Sequence, residues 1–257
     1  MNLDIYTTEM SKSIWDKAFF IDKIPGVKYV VDFGCADGAM IHYLAPLFPD
    51  IKFIGYDISA ELVDKARAKI PFYANAIFFN NSELVVEYLN LFPAAKPEEI
   101  CVNFSSVLHE VFSSTGGVET IQYLINTLKP RYITIRDMYC DEHIPFNSLE
   151  QFDEIWNLLP AKESADFVEW FGPITQWCDM MHLLMKLQWK DNGWEDEMKE
   201  DYFSWRIDDF IDMIKDYIPA FDCRYQLPYL SEKWKKEYGF YNPDLHTHAQ
   251  FILRRDD

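Results

Sequence analysis

The chain has 257 residues, 49% of them hydrophobic and 17% aromatic, which excludes a disordered chain and suffices for one α/β core carrying an insertion. Its formal charge of -18 opposes a nucleic-acid backbone as partner, and the one basic cluster, Lys233, Lys235 and Lys236 around Trp234, reads as a solvated loop or helix face. Five cysteines without metal-site spacing, a polar and acidic opening (MNLDIYTTEM) and no apolar run long enough to span a bilayer point to a reduced, cytoplasmic protein without a membrane segment.

Helical spacing of Met10, Ile14, Ala18 and Ile21 predicts a helix over residues 10–24, stopped by Pro25-Gly26. Strand and helix patterns then alternate. Strands are predicted at 28–33, 52–56, 76–79, 100–104 and 132–136, and helices at 38–48, 60–70, 83–91 and 118–128. Such alternation implies parallel strands, because each crossover needs its own helix. Ligands of a doubly wound sheet sit at the carboxyl ends of the strands.

The alternation breaks at Tyr139. Residues 139–202 show no strand pattern and are rich in tryptophan and methionine (Trp156, Trp170, Trp177, Trp189, Trp194, Met180, Met181, Met185). They read as a helical insertion that is a substrate cap, a small core of its own or a dimer surface. A returning helix is predicted at 203–217. Two closing strands follow at 220–227 and 248–253, joined by a polar loop through Asn242-Pro243. The resulting domain organisation is 1–27 (N-terminal helical segment), 28–138 (core), 139–202 (insertion) and 203–257 (last helix and closing strands).

Four segments carry chemistry, each just after a predicted strand. The first is the loop from Asp32 to Gly38. A dinucleotide-binding GxGxxG register would use Gly34, Ala36 and Ala39 and match one glycine of three, whereas the alternate-position register runs Asp32, Gly34, Ala36, Gly38. The second is Gly55-Tyr56-Asp57-Ile58, whose carboxylate can accept both hydroxyls of a ribose or cap the next helix. The third is Phe79-Asn80-Asn81-Ser82, where an amide can bind a base or cap a helix. The fourth is Asn103-Phe104-Ser105-Ser106-Val107-Leu108-His109-Glu110, whose histidine has a pKa suited to proton transfer near neutrality.

In this order the four segments resemble the class I (Rossmann-like) S-adenosylmethionine-dependent methyltransferases, over residues 28–137 and more weakly over the closing strands. Residues 139–202 match no named pattern. Ala36 departs from the family's usual middle glycine. The resemblance implies a seven-stranded, mostly parallel sheet with an antiparallel last strand. It also implies S-adenosylmethionine as cofactor, held by Asp32, Gly34, Ala36, Gly38, the ribose acceptor Asp57, Ile58 against the adenine, Asn80 or Asn81 on its amino group, and Ser105. His109 is either the general base toward a hydroxyl acceptor or a structural residue. The implied reaction is methyl transfer to a small molecule by in-line displacement. The alternatives are an RNA or protein acceptor, or a cofactor-binding scaffold without catalysis. A homodimer fits as well. The pair His246 and His248 shares one side of a strand, but no third metal ligand is evident.

Overall fold

In the computed structural model, which describes residues 13–69, 75–91, 95–114, 117–140, 145–146, 149–239, 242 and 244–256, the first strand β1 (Tyr29–Phe33) is buried along its whole length. That is the expected burial of a parallel strand covered on both faces, and it explains the apolar run Tyr29-Val30-Val31. Strand β2 (Lys52–Tyr56), β3 (Ala76–Phe79), β4 (Ile100–Ser105), β5 (Tyr132–Met138), β6 (Tyr217–Tyr225) and β7 (His248–Arg255) complete a seven-stranded sheet of order β3-β2-β1-β4-β5-β7-β6. Pairings among β1 to β5 are parallel. β7 is antiparallel to both neighbours: Tyr139 N and Arg255 N reach Thr247 and Arg131 carbonyls, and Thr247 N and Asp256 N reach Tyr225 and Asp216. The architecture is therefore the seven-stranded sheet with one antiparallel last strand that the alternation and the resemblance predicted.

The predicted helices of this half are present with shifted ends, and one further helix that the sequence pattern did not predict, Leu108–Ser113, joins them. They are α1 (Ile14–Lys17), α2 (Ala39–Leu44), α3 (Ala60–Ala68), α4 (Ser82–Leu91), α5 (Leu108–Ser113) and α6 (Gly117–Leu128). Helix α6 buries Ile121, Leu124, Ile125 and Leu128, the stripe of an amphipathic helix on a sheet. Helix α1 falls furthest short of prediction. Residues 10–12 lie outside the described part, and beyond Lys17 the backbone tightens into i→i−3 turns (Ile21 N to Ala18 O, Lys23 N to Phe20 O) that still bury Ala18, Phe20 and Ile24.

Past β5 come α7 (Leu149–Trp156), α8 (Ala161–Phe171), α9 (Trp177–Lys186), a 3-10 turn (Leu187–Trp189), α10 (Lys190–Glu197), α11 (Ile207–Ile214) and α12 (Pro228–Tyr238). Helix α12 occupies the stretch read as a polar loop between the closing strands. Its signals are at its ends: Pro228 in the first turn, and Gly239 in the left-handed region at the stop. Its buried residues, Leu230 and Trp234, are few and are hidden among lysines and glutamates.

The chain divides into two compact units. One comprises Asn2–Asp137, Trp205–Asp222 and Gln250–Asp257; the other comprises Met138–Ser204 and Cys223–Ala249. The first has a core of Phe20, Val30, Ile41, Phe53, Val63, Phe78, Cys101 and Ile252 among others. The second has its own core, in which Trp177, Met180, Met181, Leu184, Phe167 and Tyr202 pack with Leu230 and Trp234 of α12. Most of the aromatic content of the helical segment is thus spent on a local apolar core. No helix among the described residues is long and apolar enough to cross a membrane.

Gly55 marks the tightest point of the sheet. A Cβ there would lie 2.3 Å from Phe78 Cδ1 and 2.8 Å from Cys35 Sγ. Gly55→Ala should therefore lower stability by about 1–3 kcal/mol in chemical denaturation, the usual cost of overpacking. Combining it with Phe78→Leu should recover part of the loss; additivity of the two substitutions would refute the clash.

Candidate functional site

The strand order reverses between β1 and β4, so the crevice outside their carboxyl ends is where an open α/β sheet takes its ligand. The loops leaving those two strands are Gly34–Gly38 and Ser106–Val107, the latter leading into α5. Asp32 is the middle of a row of residues in register: Phe78 and Gly55 on one side, Asn103 and Thr134 on the other. Asn103 Nδ2 donates to Asp32 Oδ1 at 2.8 Å, and Thr134 Oγ1 donates to Asn103 Oδ1 at 2.8 Å. All three are buried. Burial pushes the Asp32 carboxyl up to about 7, against the Asn103 hydrogen bond and the nearby Lys17, which both lower it.

The loop after β1 is held by its neighbour strand. Gly34 N and Cys35 N both donate to Tyr56 O (2.7 and 2.9 Å). Gly34, Ala36 and Gly38 have φ of 75°, 48° and 73°, so the alternate-position pattern is a set of left-handed backbone positions. Ala36 sits where glycine costs least. Two features make it tolerable: its side chain is small, and its N–H donates to Asp57 Oδ2 at 2.9 Å. Gly38 opens α2, and Phe78 ring atoms lie 2.7 Å from where its Cβ would be. Cys35, in the same loop, is buried, and burial pushes its thiol well up, which disfavours the thiolate.

Asp57, at the end of β2, spends one hydrogen bond on each oxygen: Oδ2 on Ala36 N and Oδ1 on Ser59 N at 2.9 Å. Ser59, not Asp57, caps α3 by accepting Leu62 N on its hydroxyl. Each Asp57 oxygen keeps a lone pair for a further donor. Burial raises its pKa, opposed by the backbone donors of Ser59 and Ala36. Beside it Ile58 is 86% exposed, an apolar side chain without cover next to a polar crevice. After β3, Asn81 Oδ1 accepts Glu83 N at 2.7 Å and so caps α4, while Asn80 is exposed.

Ser105 closes β4 opposite Arg136 in the register. Its Oγ is buried and lacks a hydrogen-bond partner. The residue after Arg136, Asp137, organises the start of α5. Its Oδ2 accepts Val107 N (3.0 Å), Leu108 N (2.6 Å) and His109 N (3.4 Å), and its Oδ1 lies 2.7 Å from His109 Nδ1. His109 is buried beside it, and Glu110 Oε1 is 3.9 Å from its Nε2.

Two residues that sequence reasoning did not single out belong to this constellation. Asn103 carries no signal of its own within its segment; its register with Asp32 is a tertiary fact. Lys17 is buried on α1, and burial brings its ammonium down to about 8, with Arg136 lowering it further and Asp32, Asp137 and Asp16 raising it. A lysine at the end of a short helix, between Asp16 and Ala18, carries no sequence signal of burial. His246 and His248 do not join this set: His248 Nδ1 pairs with Thr247 Oγ1 at 2.9 Å, and among the described residues no three metal-ligating side chains cluster.

Asp32 titrates in this network with a definite sign. Its pKa is raised on folding, so its contribution to stability is complete below about pH 4 and is lost as pH rises toward 7. Asp32→Asn keeps the acceptor for Asn103 and removes the ionisation. In the ligand-free protein the variant should match wild type near pH 4 and melt at a higher temperature at pH 8; equal differences at both pH values would contradict the assignment.

Residues 31–126 match a family profile described as a methyltransferase domain. A curated relative, trans-aconitate 2-methyltransferase of Paracidovorax citrulli, is 25% identical over 173 residues, and the alignment covers 62% of this chain and 62% of the relative. The chain thus spans less than two thirds of that relative's length. Among solved structures, it resembles a chain of the complex between the Haloferax volcanii Trm112 methyltransferase activator and a methyltransferase (TM-score 0.54, 12% identity, 99% of this chain and 95% of that one). It resembles TnmH with TM-score 0.53 at 13% identity, covering 97% of this chain and 57% of that one. It also resembles the methyltransferase domain of bacterial CtHen1-C (TM-score 0.51, 11% identity, 100% of both chains).

Proposed function

We propose that the chain is a class I, Rossmann-like S-adenosylmethionine-dependent methyltransferase and that it transfers a methyl group to a small-molecule acceptor. One observation carries the reading: three left-handed loop residues at the carboxyl end of β1 are tied by Ala36 N to a carboxylate at the end of β2 that retains acceptor capacity. This is a cradle in which backbone, not side chain, faces the ligand.

The residues present fit S-adenosylmethionine. Asp57 would accept the ribose hydroxyls, Ile58 would cover the adenine with an apolar face that is otherwise exposed, and Asn80 would meet the adenine edge because Asn81 is committed to its helix. Gly34, Ala36 and Gly38 would let the loop approach the methionine half, and the orphaned Ser105 hydroxyl would gain a partner. When bound, the cofactor supplies a methyl group made electrophilic by its sulfonium.

The chain's own chemistry is proton handling and exclusion of water. The buried Asp137 carboxylate accepts the Nδ1 proton of His109, which leaves the Nε2 lone pair as base toward a hydroxyl acceptor. Glu110, near Nε2, favours the imidazolium that forms. The acceptor is assigned as small for two reasons. The charge of -18 repels a phosphate backbone, and the curated relative is named for a small acid.

Calorimetry with S-adenosylhomocysteine tests the cofactor assignment, and absence of binding sinks it. Asp57→Ala should weaken that binding by roughly 10- to 100-fold, the worth of one or two hydrogen bonds to a charged group. His109→Ala should leave it intact and lower kcat toward a hydroxyl acceptor by about 100-fold or more, the usual size of general-base catalysis. Unchanged turnover removes His109 as base.

A further inference from the structure

The methyltransferase reading gives no role to His246, nor to the polar hollow whose wall it helps to form. The hollow has a volume of about 500 Å³, the size of a small-molecule pocket, and all its lining residues belong to the stretch Cys223–Ala249 of the second compact unit. The end of β6, the first turns of α12 and His246 just before β7 enclose it. These walls are fixed. Thr247 N donates to Tyr225 O at 3.0 Å and Leu227 N to Thr247 Oγ1 at 3.0 Å, which fastens the exit of β6 to the entry of β7. Leu227, Leu230, Trp234 and Leu245 anchor the same stretches in the apolar core of this unit. The polar groups on the wall are of two kinds. Ser231 Oγ donates to Gln226 Oε1, and Gln226 Nε2 donates to Asn242 O at 3.4 Å, so this pair shapes the wall. Arg224, His246 and Glu232 are the ionisable side chains of the lining. Arg224 lies over the Tyr139 ring, 5.2 Å from its centroid, a contact that orients the guanidinium. A guanidinium carries five N–H donors, so contacts to the protein and to a ligand are compatible.

We propose that this hollow binds a small monocarboxylate with an apolar body. The Arg224 guanidinium takes the carboxylate, His246 adds an N–H, and Tyr225 and Pro228 receive the body. The planar fork of an arginine matches the two oxygens of a carboxylate, and an imidazole offers an N–H in either protonation state. Glu232, exposed on the same lining, opposes a second anionic group and so limits the ligand to one carboxylate. A chain of formal charge -18 repels anions in general, so a carboxylate is retained only where donors of this kind are gathered. None of these residues is among those assigned to the cofactor or to proton transfer, so the site stands whether or not the chain transfers methyl groups.

Ligand-observed fluorine NMR of the full chain with para-fluorobenzoate and para-fluorobenzamide tests the proposal, because the two probes share a shape and differ in charge. Wild type should bind the benzoate about 10-fold more tightly than the amide, the worth of a charge-assisted hydrogen bond at a partly exposed site. Arg224→Gln should bring the benzoate down to the affinity of the amide and leave the amide unchanged. Arg224→Lys keeps the charge and loses the fork, so its preference for the benzoate should fall between those of wild type and Arg224→Gln. Arg224 is exposed, so neither substitution removes core packing, and circular dichroism verifies the fold of both. Absence of benzoate binding, equal affinity of wild type for the two probes, or any order of preference other than arginine, lysine, glutamine overturns the proposal.

Discussion

A polar row crosses the middle of an apolar sheet. Asp32, Asn103 and Thr134 occupy one register line of β1, β4 and β5 and hydrogen-bond in sequence, each side chain buried. Such a row is tolerable only when every member finds its partner, so it locks the relative register of three strands. A slip of one residue would put Asp32 opposite Val102 or Phe104 and strand a carboxyl in hydrocarbon. The loops Gly34–Gly38 and Ser106–Val107 leave the sheet at points set by that register. The row therefore holds the crevice in shape before any ligand enters.

The carboxylates divide the remaining work by location. Asp57 fastens the glycine loop to the end of β2, and Asp137 gathers the first N–H groups of α5 together with the ring of His109. Asp16 fastens the N-terminal segment to Arg136 and Gln250. Each one links segments far apart in the chain by charge-assisted hydrogen bonds, which are shorter and stronger than neutral ones. Loops built this way are pre-organised, and pre-organisation is what positioning catalysis requires.

The two compact units differ in what holds them. One is a sheet with polar fasteners at its carboxyl edge. The other is an apolar cluster centred on Trp177 and the methionines of α9, in which α12 participates through Leu230 and Trp234. Within it Lys186 is buried with its ammonium 3.8 Å from the Tyr202 ring centroid, a cation–π contact, and it donates to Glu197 O. The aromatic richness visible in the composition is largely the material of this second core.

Much was legible in the sequence because it depends on neighbours along the chain. Strands β1 to β5 and their helices show as apolar periodicity, the loop as glycines at alternate positions, and Asp57 as an acid at a strand end. Periodicity is local, and a left-handed backbone position favours glycine wherever the chain later goes. What tertiary structure alone decided is of another kind. It set the Asp32–Asn103–Thr134 row, the clasp of Asp57 on Ala36 and the partnership of Asp137 with His109. Each is a contact between residues distant in sequence, chosen by strand register and by the need to satisfy buried polar groups, and neither leaves a mark on local composition. The alternate-position glycines of the loop were legible in its letters; the carboxylate of Asp57 that holds the loop became visible only once the strands were aligned.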